Sequence, residues 1–256
     1  MPHDKRHNTD AQLELVEEIK LNAALHHPNI VSFIGAAWTT RADLQAIFEF
    51  VPGGDLRTWL EATPRTPWTR QKTLVALDVA YALAYLHSRQ PSALVHRDVK
   101  SHNVLLTSTE GLGSSMTMTM TMTTTTTTET ETAAAAETAA VARSTATRLT
   151  AKLCDFGVSR AQSSNHSMTT GVGTSRWLAP EVILGGGHYD TACDIYSFGV
   201  VLTELDTHEL PFHDVRGPEG TMLPDATILW MVAHEGLQPG GSSSCPEALA
   251  TLAREY

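Results

Sequence analysis

The chain has 256 residues, 42% of them apolar, enough for a packed core. A formal net charge of -10 without any Lys/Arg cluster argues against a role gripping DNA or RNA, which needs a basic stripe. Cys154, Cys193 and Cys245 form no C-x-x-C pair, so neither a disulfide framework nor a metal framework is expected, and twelve histidines lie scattered along the chain.

The N-terminus carries no apolar leader and no stretch approaches 18 apolar residues, so the expectation is a chain without a membrane segment, in the cytosol or the nucleus. Residues 11–25 set Leu13, Val16, Ile19 and Ala23 at helical spacing, with Glu17, Glu18 and Lys20 on other faces. This predicts an amphipathic helix ended by His27-Pro28-Asn29. Residues 29–38 and 44–51 are rich in Ile, Val, Phe and Trp around a polar turn, predicting two antiparallel strands. Pro52-Gly53-Gly54-Asp55 breaks the second strand, and Asp55 can cap a short helix through Leu60.

Residues 69–89 carry Leu74, Leu77, Tyr81 and Tyr85 on one stripe and Val75, Val79, Ala82 and Leu86 beside it, which predicts a core helix. Residues 108–148 are of low complexity, with alternating Met-Thr, six consecutive threonines and alanine runs. So few distinct apolar side chains cannot offset chain entropy, so a disordered surface insertion is expected, with a Thr-rich phosphoacceptor tail or a frayed alanine helix as alternatives. Beyond it come a short strand at 151–154, a polar loop at 159–174, a helix from Asp194 with Ile195, Phe198, Leu202 and Leu205 facing inward, and two further helices at 225–234 and 246–254.

The chemistry concentrates in His96-Arg97-Asp98-Val99-Lys100-Ser101-His102-Asn103, followed 52 residues after Asn103 by Asp155-Phe156-Gly157 and then by Ala179-Pro180-Glu181. A carboxylate able to accept a proton, a cation two residues on, and a carboxamide and second carboxylate able to bind a hard cation stand at the spacings that phosphoryl transfer needs.

On these motifs the chain resembles the catalytic domain of eukaryotic protein kinases, most closely the tyrosine-kinase-like serine/threonine group. The resemblance implies an α+β, two-lobed fold. Residues 1–51 would form a partial smaller lobe of one helix and about two strands. Residues 52–256 would form a mainly helical larger lobe interrupted by the insertion, and both ends are expected to be incomplete. It implies ATP and Mg²⁺ as cofactors and proteins bearing Ser or Thr as substrates, with Asp98 as the proton acceptor, Lys100 steadying the phosphoryl group, and Asn103 and Asp155 holding the metal. Thr174 would hydrogen-bond Asp98 and Lys100. Glu18, nine residues before His27, matches the family's helical glutamate, with Glu17 as fallback; the glycine-rich loop and the strand lysine that this glutamate pairs with are absent from the sequence.

Phe48 falls at the gatekeeper position, Glu49 to Val51 at the adenine hinge, and Leu105 beneath the adenine ring. Asn22 stands where relatives place an apolar side chain, so it needs a hydrogen-bond partner if buried. Arg97 suggests control by phosphorylation of a loop whose candidates are Ser163, Ser164, Ser167, Thr169 and Thr170. Asp194 is expected to anchor the backbone of the catalytic loop, and Glu181 would carry a cost if buried unpaired. The resemblance leaves open a kinase-like nucleotide- or protein-binding module with little turnover.

Overall fold

Local sequence signals open and close most of the helices in a computed structural model that describes residues 9–40, 43–108, 148–156, 160–161, 175–185 and 190–254. Helix α1 is Thr9–Ala23. Strands β1 (Phe33–Ala37) and β2 (Gln45–Phe48) pair antiparallel, with an irregularity between Phe33 and Gly35. Asp55 caps helix α2 (Leu56–Ala62) by accepting from the Thr58 amide at 2.9 Å, and Thr69 caps helix α3 (Arg70–His87) by accepting from the Lys72 amide.

Strand β3 (Leu94–Val95) pairs with β6 (Arg160–Ala161), and β4 (Val104–Ser108) pairs with β5 (Leu149–Leu153) from Val104↔Leu153 to Ser108↔Leu149. The predicted insertion therefore opens and closes on facing residues, which makes its length cheap in closure entropy; residues 109–147 lie outside the described ones.

Helix α4 (Pro180–Ile183) starts on a proline, and α5 (Thr191–Thr207), capped by Asp190, begins three residues before the predicted start at Asp194. Helices α6 (Asp225–Glu235) and α7 (Glu247–Arg254) fall within a residue of expectation.

Three expectations need correction. The strand predicted over 29–38 begins only at Phe33, because Asn29 to Val31 are taken by β5: the Leu153 amide donates to Asn29 O at 2.8 Å and the Val31 amide to Leu153 O at 3.0 Å. On α3 the face that enters the core is Val75, Val79, Ala82 and Leu86, while Leu77 and Tyr81 stand 43% and 58% exposed. Helix α1 does not bury its predicted stripe: Leu13 is 60% exposed, and Asn22 and Leu25 are the buried residues at its end.

The core is one continuous apolar cluster in which α3 backs β5 and packs against α5, and α7 packs on α5. The larger, helical part is thereby built around β4 and β5, whose ends carry the candidate site.

Candidate functional site

The loop from His96 to Asn103 is held from below by one carboxylate. Asp194, on the first turn of α5 and almost fully buried, accepts from the backbone amides of His96 and Arg97 at 2.8 Å each, and the His87 ring approaches the same carboxylate at 2.8 Å. These bonds hold Arg97 at φ 70°, a left-handed conformation that costs a non-glycine residue about 1–3 kcal/mol and persists only where its surroundings enforce it. Asp194 thus does what the sequence suggested, although the helix around it starts earlier.

Above this anchor the reactive groups meet. Lys100 Nζ lies 2.8 Å from Asp98 Oδ2, and Asn103 Nδ2 donates to the same oxygen and to the Asp98 carbonyl, each at 2.8 Å. Asp98 Oδ1 is buried and has no hydrogen-bond partner among the described residues. One carboxylate oxygen is saturated, and the other is left as a bare acceptor.

Asp155 reaches the same place along β5. The Cys154 amide donates to Asn103 O at 2.9 Å, the fully buried His96 ring approaches Cys154 O at 3.1 Å, and that ring meets Phe156 edge-on at 4.9 Å between centroids. Phe156 is itself buried, and Asp155, at φ 65°, turns an exposed carboxylate away from the core. Burial lowers the His96 pKa, which keeps the ring neutral in this packing, and burial pushes the Cys154 thiol up to about 12, so it carries no thiolate near neutrality.

Gly53 donates its amide to Leu106 O at 2.9 Å, and a Cβ there would sit 2.2 Å from that oxygen, so only glycine lets the segment after β2 lie against β4. Asp55 then bridges the half-buried Leu105, and Val51, just before the turn, is buried. Phe48 is 37% exposed and meets Phe33 edge-on. The Glu49 carboxylate accepts from Ser32 N at 2.7 Å and pairs with Lys152 Nζ of β5 at 2.6 Å, and its amide donates to Ser32 O at 2.9 Å, so its side chain and its N–H are both committed. Glu18 is half-buried on α1, where its carbonyl accepts from Asn22 Nδ2 at 2.9 Å; this is the partner that the buried Asn22 amide required. Glu17 is exposed and pairs with Lys20. Thr174 and the five candidate phosphoacceptors lie outside the described residues. Glu181 is exposed, so the cost foreseen for its burial does not arise.

Sequence reasoning missed a buried polar node beneath the loop. Glu204, fully buried in α5, accepts from Ser101 Oγ and Trp177 Nε1 at 2.8 Å each and from Arg57 Nη1 at 3.1 Å. Burial pushes its carboxyl pKa up, while the two neutral donors and the guanidinium pull it back. One carboxylate so joins α2, the catalytic loop and the turn Ser175–Trp177. The only available signal was an ionisable residue inside the apolar run from Phe198 to Leu205.

The donor set fits a nucleotide carrying a hard divalent cation. The Asn103 amide spends its N–H₂ on Asp98, which leaves its carbonyl oxygen as the ligand end, and the exposed Asp155 supplies a carboxylate from the adjoining strand. Two protein oxygens suit magnesium, which takes one or two protein ligands and completes its shell with water and phosphate.

Residues 2–228 match the family described as protein kinase domain. The chain is 34% identical over 242 residues to the RasGEF domain-containing serine/threonine-protein kinase X of Dictyostelium discoideum, covering 93% of this chain and 20% of that protein. It is 29% identical over 239 residues to mitogen-activated protein kinase kinase kinase 7 of Homo sapiens (93% of this chain, 31% of that protein). To the probable serine/threonine-protein kinase SIS8 of Arabidopsis thaliana it is 32% identical over 204 residues, which is 79% of this chain and 16% of that protein. The chain thus spans a third or less of the length of these relatives.

Proposed function

The chain belongs to the protein kinase domain family, and we propose that it serves as an ATP-dependent protein serine/threonine kinase, moving the γ-phosphoryl group of ATP to Ser or Thr hydroxyls of proteins. The observation that carries this reading is the divided Asp98 carboxylate: Oδ2 is fixed by Lys100 and Asn103, while Oδ1 has no donor among the described residues. A hydroxyl is the group such an oxygen can receive.

Bound magnesium and ATP supply the transferable phosphoryl group and neutralise its charge. In this reading Asp98 Oδ1 accepts the hydroxyl proton as the hydroxyl oxygen bonds to the γ-phosphorus and the bond to the departing ADP oxygen breaks. Lys100 keeps Asp98 oriented and places a positive charge beside the migrating group. Asn103 Oδ1 and Asp155 hold the metal, so the carboxamide serves both the metal and the base. Phe48, the backbone carbonyl of Glu49, Val51 and Leu105 would receive the adenine, and Thr174 and Glu18 would keep the supporting roles that the resemblance implies. The division at residue 51 sets the smaller lobe, 1–51, against 52–256.

The direction toward Ser/Thr acceptors rests on Lys100 and on the names of the relatives. The test is transfer of labelled phosphate from Mg·ATP to a Ser/Thr peptide library by the full chain and by Asp98→Asn. The variant is expected to lose about a hundred- to ten-thousandfold in rate, and an unchanged rate would remove Asp98 from the reaction.

A further inference from the structure

The surface leading to Asp98 carries an ion pair that the proposed reaction does not use. The 3-10 turn Ser175–Trp177 is fastened on two faces. Inward, Trp177 donates to Glu204, its carbonyl accepts from Ser197 Oγ at 2.7 Å, and its ring meets His102 of the catalytic loop edge-on at 5.9 Å. Outward, Arg176 sends Nε and Nη2 to Asp225 Oδ1 at 2.9 and 2.7 Å and Nη1 to Pro211 O at 2.9 Å.

The inward bonds already hold the turn on the core. What Arg176 adds is the registration of α6, whose first residue is Asp225 and whose N-cap, Pro224, makes no side-chain capping bond. The guanidinium suits this because its planar fork reaches a carboxylate on one side and a carbonyl on the other, whereas an ammonium is a point charge. The Arg176 side chain is only 16% exposed, so its contacts are less screened than those of a typical surface pair.

We propose that Arg176 is a positioning residue for the protein substrate: it locks the turn beside the catalytic loop to the start of α6, so that both present one fixed surface to the incoming Ser/Thr-bearing chain. This rests on the kinase reading above.

The test uses the full chain with Mg·ATP and a Ser/Thr peptide library. Arg176→Met is expected to raise the KM for the peptide acceptor about three- to tenfold while the KM for ATP stays put. Asp225→Asn should do the same, and the double variant should be no worse than the worse single, because both remove one bridge. An unmoved acceptor KM, an equal rise in the KM for ATP, or additive effects in the double variant would each overturn the proposal. If the wild-type chain transfers no phosphate to any acceptor, the kinase reading fails by itself, and hydrogen exchange then decides the coupling. Faster exchange in Arg176→Met at both 175–178 and 226–229 supports it, and a change in neither or in one alone refutes it.

Discussion

Glu204 shows what one side chain can hold together. It receives a guanidinium, a hydroxyl and an indole N–H with no exposure to water. Removing one member of such a buried pair leaves the other charge stranded, so Glu204→Ala is expected to destabilise the fold by about 3–5 kcal/mol, measured as a shift in the denaturation midpoint. Replacing Arg57 and Glu204 together by methionine should recover much of that loss, because no uncompensated charge then remains. Equal losses in the single and double variants would show that the network is not acting as a pair. Asp98 stands apart from this: it was visible from its motif because its neighbours in the sequence, Lys100 and Asn103, are also its neighbours in space. Glu204 and Arg57 are 147 positions apart, and nothing in the sequence pairs them.

Among the elements, α3 separates what periodicity can and cannot tell. Two adjacent stripes were apolar enough to be buried, and only the packing against β5 and α5 selected one. Leu86→Ala, at a fully buried position, should therefore cost about 2–5 kcal/mol, while Tyr81→Ala on the exposed stripe should stay near about 0.5 kcal/mol; thermal melts of the two variants compare them directly. The reverse order would place the core on the other face. The end of the predicted first strand was misread for a similar reason. Asn29 lies in a turn closed by the Ile30 amide on His27 O, and Ile30 bridges Leu153 of β5 rather than joining β2, since composition does not name a partner. The start of α2 was better read, because Asp55 acts within three residues of itself.

At the scale of the molecule, the buried histidines set a pH response. Burial lowers the pKa of His96, and burial with the nearby Lys72 and Arg57 charges lowers that of His208, whose Nε2 has no hydrogen-bond partner among the described residues. With a folded pKa below the ordinary histidine value of about 6.5, the unfolded chain takes up the proton first. Stability is then complete above that value and declines as the pH falls below it, by up to about 1.4 kcal/mol per pH unit for each proton involved.

Melting temperature should accordingly drop between pH 7 and pH 5. His208→Asn, which suits the left-handed φ of 61° at that position, should flatten the drop. A flat profile in the wild type would contradict this. The carboxyls of Glu49 and Asp55 are lowered in the folded chain, so their influence falls below this range, whereas the buried Glu204 carboxyl is raised and offsets part of the drop as the pH falls.

The sequence alone was sufficient for the family and the Asp55 cap, and it set Asp98, Lys100, Asn103 and Asp155 in two short motifs. These depend on residue type and short fixed spacing, which the chain carries locally. The tertiary structure decided which helix face is core, which strand Asn29 to Val31 joins, and how Asp194, Glu204 and Arg176 fasten the loop that bears Asp98. Those depend on contacts between residues 49 to 147 positions apart, where the free energy of burial and hydrogen bonding is settled by packing rather than by any pattern along the chain.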